Sequence, residues 1–219
     1  MALGVDCMQK GSFLFFLILA GVALIGAYSA LFPLPSDVIM VRFLALSALF
    51  ILSVSLMMGP LAVMNPKYAS LIEPRRAVGL AGFIFAVLHI LLAISLELGW
   101  QLGVVFGYAP ILVAVPATLV LLAMALSSSD FAVQKLGANW KRLHQLIYIA
   151  FILILAHFVL QSNGLFAKTS AGTFVNLAEI GVLLVAFAAV LMQLYGFYLR
   201  RKRMASAAAP VQKQDEPAA

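Results

Sequence analysis

The sequence is short of charge. Lys, Arg, Asp and Glu make up 10% of its 219 residues, whereas a soluble domain carries about 25%. So few charges could not cover a water-facing surface, which argues strongly against a soluble globular protein. Cysteine is scarcer still. The one thiol, Cys7, cannot close an intrachain disulfide, lacks the spacing of a metal site and reads as an ordinary thiol. There is no GxGxxG, no Walker sequence and no HExxH, and Asp130 with Ser127, Ser128 and Ser129 reads as a helix N-cap rather than part of a Ser-His-Asp arrangement. Nor is there room for a separate soluble catalytic domain, so any flavin or nucleotide chemistry has to come from a partner.

What the chain has in abundance is apolar length. Hydrophobic residues reach 64% and the mean hydropathy is +1.09. About 20 apolar residues make one helical crossing of a bilayer. Six stretches qualify, near 12–32, 38–63, 77–98, 104–126, 146–160 and 175–199, the fifth being short unless it begins near Leu143. Polar residues, Gly or Pro gather between them: Pro33 and Pro35, Asn65-Pro66-Lys67, Gly99 and Gln101, Ser127 to Asp130, and Gln161-Ser162-Asn163-Gly164. Connections this short make neighbouring helices antiparallel. The first stretch is expected to be a retained helix rather than a signal peptide, since its apolar run is long and Tyr28-Ser29-Ala30 is a poor cleavage site.

The basic residues give the orientation. With the N-terminus in the cytoplasm, that side collects Lys10, Lys67, Arg75, Arg76, Lys135, Lys141, Arg142, Arg200 to Arg203 and Lys213, against Lys168 outside and Arg42 near the outer start of the second span. By the positive-inside rule both termini are cytoplasmic. The formal charge of +6 therefore reflects topology, and no nucleic-acid partner is expected. The reading is an all-α, polytopic membrane protein: residues 1–11 a cytoplasmic N-terminus, 12–203 a six-helix domain, and 204–219 a disordered cytoplasmic tail. It is expected in the cell inner or plasma membrane. The run from Arg200 to Arg203 can also meet anionic lipid head groups.

In such a chain the informative residues are the ionisable ones inside the membrane. There are three histidines, His89, His144 and His157. A single neutral imidazole could simply bond a neighbouring helix. His89, however, lies 13 residues past Arg76, and His157 lies 15 past Arg142, or roughly 20 and 22 Å along two parallel helices. Two imidazoles at one depth are what a haem iron held from both faces requires. His144 is too shallow to share that iron. Without a carboxylate or thiolate at their level the pair makes a poor zinc site, because Glu97 and Glu179 sit near the outer helix ends.

The segment Leu136-Gly137-Ala138-Asn139-Trp140-Lys141-Arg142-Leu143-His144, with Tyr148 and then His157-Phe158, together with Arg75-Arg76-Ala77-Val78-Gly79-Leu80 leading to His89, resembles the ferric reductase-like transmembrane family. The likeness covers about residues 70 to 200. Within the family it is nearest to the haem-binding subunits of methionine sulfoxide reductase systems. The resemblance implies b-type haem held by third- and fifth-helix histidines, with His89 and His157 as the outer ligand pair and His144 as the fifth-helix ligand of an inner haem. The third-helix partner of His144 would stand 14 residues before His89, and that position is Arg75. A guanidinium has no lone pair to offer iron. Three readings stay open: a single haem on His89 and His157 (iron ligands), a second on His144 with Arg75 pairing its propionates, or His144 as an interfacial residue beside Trp140. The methionines Met57, Met58, Met64, Met124 and Met192 read as packing, as does Tyr148, and Trp100 and Trp140 as interface anchors.

The expected function is that of an electron-transfer component rather than a complete enzyme. Electrons would come from a membrane quinol or a cytoplasmic flavoprotein and pass toward an extracytoplasmic redox partner, with a quinone site possible. The alternative is a non-redox scaffold or assembly subunit, which Arg75 in a ligand's place favours. A transporter is disfavoured by the absence of a broken-helix pair and of a chain of buried carboxylates.

Overall fold

A computed structural model describes residues 2–30, 34–101, 103, 107–161, 166–169, 172–175 and 177–208. The expected boundaries at Pro33, Val104 and residues 162–164, and residues 209–219 of the expected tail, lie outside the described residues, as do the side chains of Cys7, Lys10 and Lys168. The long apolar runs form helices because a backbone in lipid must satisfy its own polar groups. In order these are α1 (Ala2–Ala30), α2 (Ser36–Met64), a short 3₁₀ helix (Pro66–Ile72), α3 (Arg75–Leu92) continuing into a π turn (Ala93–Glu97), α4 (Ala109–Leu126), α5 (Asp130–Leu136), α6 (Ala138–Gln145), α7 (Ile147–Gln161) and α8 (Leu177–Ala208). The described chain departs from helix in one hairpin, where β1 (Phe166–Thr169) pairs antiparallel with β2 (Gly172–Val175), Phe166 opposite Val175.

Local chemistry sets the breaks. Pro66 opens the 3₁₀ helix and the Asn65 side chain accepts the Lys67 N–H at 2.9 Å, so α2 stops there. Ser129 Oγ accepts the Ala132 N–H at 3.1 Å, giving α5 the N-cap expected from Ser127 to Asp130. Gly137, at φ 51°, turns the chain from α5 into α6 through a region closed to most side chains. The fifth apolar stretch is longer than its hydropathy suggested. It starts at Ala138 in α6 and is interrupted near Leu146, whose N–H reverts to a three-residue bond with Leu143 O. The last helix runs five residues past Arg203, so the stretch read as tail begins as helix.

Five helical stretches among the described residues are long and apolar enough to cross a bilayer: Ser36–Met64, Arg75–Glu97, Ala109–Leu126, Ala138–Gln161 and Leu177–Ser206. The chain is a multi-pass membrane protein. The apolar part of α1, Leu14–Ala30, would extend roughly 26 Å at 1.5 Å per residue, slightly under a 30 Å hydrocarbon core.

Helix α2 is the hub, packed against α1, α3 and α8. Small residues allow that closeness, as expected where helices associate by packing rather than by a hydrophobic effect. A Cβ on Gly82 of α3 would stand 2.9 Å from Leu52 Cγ, and one on Gly196 of α8 would stand 3.2 Å from Pro60 Cβ. Pro60 lies inside α2 and has no N–H for the carbonyl of Leu56, four residues earlier. That carbonyl instead accepts the Gln193 Nε2–H of α8 at 2.6 Å. At the C-terminal end of α2, Arg203 Nη2 donates to Val63 O at 2.9 Å, a cation on the carbonyls of a helix terminus. The other half of the bundle pairs α4 with α7, while α3 touches α4 only lightly. Helices α3 and α7 do not pack closely against each other.

Candidate functional site

The two histidines expected to share a depth come from those two separated helices. His89 stands in the last regular turn of α3, just before the π turn, and His157 in the last turns of α7. Both are half-buried. His89 Nδ1–H donates to the Val41 carbonyl of α2 at 3.1 Å, and His157 Nδ1–H donates to the Pro110 carbonyl of α4 at 2.9 Å. A carbonyl oxygen only accepts, so each Nδ1 carries the proton. In a neutral ring this leaves the lone pair on Nε2. The two rings are close enough to interact electrostatically.

This donor set fits a haem iron. Two neutral imidazoles, each oriented by a carbonyl behind it, are the ligand type that low-spin iron takes, and a bond to the far ring nitrogen is the usual support for a metal-bound histidine. Among the described residues no group of three or more His, Cys, Asp or Glu is arranged to hold a metal ion.

The third histidine is separate from this pair. His144 is half-buried in α6, its Nδ1–H donates to Trp140 O at 3.1 Å, and its ring stacks on Trp140 at 4.0 Å with 27° between planes. Trp140 is itself held, its Nε1–H donating to Ser127 O at 2.9 Å. His144 Nε2 thus also keeps its lone pair. Arg75 and Arg76 lie within electrostatic reach of His144. Arg76 is engaged by Asp130 at 2.7 Å, between side chains largely in water. Arg75 is half-buried and lies across Gly59 of α2, where a Cβ would stand 3.2 Å from its Nη1. Among the described residues its guanidinium has no hydrogen-bond or ion-pair partner, while its carbonyl accepts from Ser55 Oγ at 3.2 Å.

The remaining candidates take ordinary places. Met58 is fully buried, and Met57 and Met124 pack against the main core. Met64 is exposed and Met192 half-buried. Tyr148 meets Phe197 edge-on at 5.3 Å, and Trp100 is exposed beyond the π turn. The residues that reading the sequence missed are Val41 and Pro110, which orient the histidines, and Gly59, which makes room for Arg75. Carbonyl acceptors carry no signal in a sequence because every residue has one.

The ferric reductase like transmembrane component family matches residues 39–155, more than half of the chain, from the first turn of α2 into α7. The chain belongs to this family. Among relatives of this ferric reductase-like chain, it is 38% identical over 123 residues to the protein-methionine-sulfoxide reductase heme-binding subunit MsrQ of Salmonella paratyphi B, a match covering 54% of this chain and 61% of that one. It is 35% identical over 127 residues to the magnetosome protein MamZ of Magnetospirillum gryphiswaldense, covering 56% of this chain and 19% of that one. It thus spans about a fifth of one relative and three fifths of the other. No solved structure matches it.

Proposed function

We propose that this ferric reductase-like chain is a b-type haem electron-transfer subunit of the membrane, with His89 and His157 as the two axial ligands. The observation that carries the reading is the commitment of both Nδ1 protons to carbonyls of neighbouring helices, at 3.1 and 2.9 Å. The heme-binding name of MsrQ supports it. Bound haem would supply a one-electron iron centre within the span. The chain's own part is to hold two imidazoles in one tautomer, to fix them on α3 and α7, and to surround them with apolar side chains that exclude water. Ligands held by the fold rearrange little when iron changes oxidation state.

With both termini in the cytoplasm and α1 as a sixth crossing, electrons would pass from a quinol or a cytoplasmic flavoprotein toward an extracytoplasmic redox partner. The chain would then be one component of a reductase system in the inner or plasma membrane. Protein produced with haem available should show a reduced-minus-oxidised b-type spectrum, and His89→Ala and His157→Ala should each remove it. Full haem content in both variants overturns the reading.

A second haem is favoured by one observation, the Arg75 guanidinium that has no partner among the described residues and lies within electrostatic reach of His144. There Arg75 would hold propionates through paired hydrogen bonds. Pyridine haemochromogen analysis separates the cases: near one haem per chain for the outer pair alone, near two if His144 also binds. A value near zero supports the rival reading of a scaffold subunit.

A further inference from the structure

At the outer end of the bundle a buried carboxylate meets a guanidinium, with further carboxylates grouped nearby. Glu179, in the first turn of α8, is 8% exposed and meets Arg42 Nη1 of α2 at 3.5 Å. A full charge-assisted hydrogen bond is nearer 2.8 Å, so this pair is joined mainly by charge. Arg42 is also within electrostatic reach of Glu97, at the end of the π turn after α3, and Glu97 is in reach of Asp37 in the first turn of α2. From α1, Tyr28 Oη accepts the Leu177 N–H at 3.1 Å, two residues before Glu179. Among the residues whose side chains are described, this cluster carries more negative than positive charge.

The cluster adjoins the candidate haem site through the backbone. Arg42 follows Val41, whose carbonyl receives the His89 Nδ1–H at 3.1 Å. An electron reaching iron on His89 removes one positive charge from this part of the bundle. In a medium of low dielectric, charge added near an already negative group is costly unless something neutralises it. The buried carboxylate can do so by binding a proton, with Glu97, exposed at the helix end, as its route to water.

We propose that Glu179, held by Arg42 and grouped with Glu97, is the redox-linked proton acceptor of this protein. As ferric iron takes one electron from the donor and becomes ferrous, the Glu179 carboxylate takes one proton from the outer water and becomes a carboxylic acid. Both return when the electron passes on. The proposal rests on the haem reading above. Its test is a spectroelectrochemical titration of the haem-loaded full chain at several pH values, paired with a redox-induced infrared difference spectrum.

Because the proton binds with the electron, reduction should be easier at low pH. The midpoint potential should fall as pH rises through a limited window, by up to about 59 mV per pH unit, the one-electron equivalent of a tenfold change. Reduction should also produce a carboxylic-acid band. Glu179→Gln should flatten the slope and remove the band while the b-type spectrum stays. If that variant does not load haem, Glu97→Gln serves: removing one negative charge should move the sloping window to lower pH. A pH-independent potential in the wild-type protein, no carboxylic-acid band on reduction, or an unaltered slope in Glu179→Gln overturns the proposal. In all these outcomes haem is bound, whereas failure of the underlying haem reading would show as no haem spectrum at all.

Discussion

Gln193 illustrates how one side chain can be required by another far away in sequence. Pro60 withholds an N–H from Leu56 O, and the Gln193 amide replaces it from α8 at 2.6 Å. Gln193→Leu should therefore strand a buried carbonyl at a cost of about 1–2 kcal/mol, read as a lower unfolding midpoint in detergent. Pro60→Ala restores the missing N–H, so the same Gln193→Leu change should cost measurably less in that background. Equal costs in the two backgrounds would show that the bond to Leu56 is not what Gln193 contributes. The candidate ligands were legible at this scale, since three histidines in so apolar a chain stand out and their depths follow from helical rise. Their tautomers were not, because Val41 and Pro110 act through backbone carbonyls that no residue type announces.

At the scale of elements, the contact of α2 with α3 decides whether His89 meets its carbonyl. A methyl on Gly82 would stand 2.9 Å from Leu52 Cγ and 3.3 Å from the Leu52 backbone nitrogen. The backbone cannot yield as a side-chain tip can, so Gly82→Ala should push the two helices apart at a cost of about 1–3 kcal/mol. Since the His89 bond to Val41 crosses this same interface, haem content should fall along with stability. Unchanged haem content with lowered stability would separate the interface from the ligand. The break near Leu146 belongs to this scale too. Hydropathy alone left the fifth span's start unclear because α6 is amphipathic and carries Lys141, Arg142 and His144. The continuous segment Ala138–Gln161 exists because α6 and α7 join through a bond from the Leu146 N–H to Leu143 O.

For the whole molecule, charge and span count work together. Twelve basic residues fall on one predicted side, so reporters fused to the C-terminus should behave as cytoplasmic: a fluorescent protein folds and glows, and an export-dependent phosphatase stays inactive. The opposite pattern would refute the N-in, C-in arrangement and, with it, the outward direction of electron flow. Truncation after Arg203 should leave the bundle intact, because it keeps the Arg203 bond to Val63 O that ties α8 to the C-terminal end of α2. Removing Arg203 as well should loosen the C-terminal end of α2, visible as faster proteolysis between α2 and α3.

Composition by itself determined that this chain lives in a membrane, since 10% charge cannot solvate a surface, and helical rise led to the expectation that His89 and His157 reach one depth. Both follow from quantities that depend only on residue order. Tertiary structure alone decided which carbonyl orients each imidazole, that Gln193 repairs the gap left by Pro60, and that Arg75 lies across Gly59. It also grouped Arg42, Glu97 and Glu179 from three helices at one end of the bundle. Such pairings depend on the rotation and separation of packed helices, and those are set by side chains meeting across an interface rather than by any one stretch of sequence.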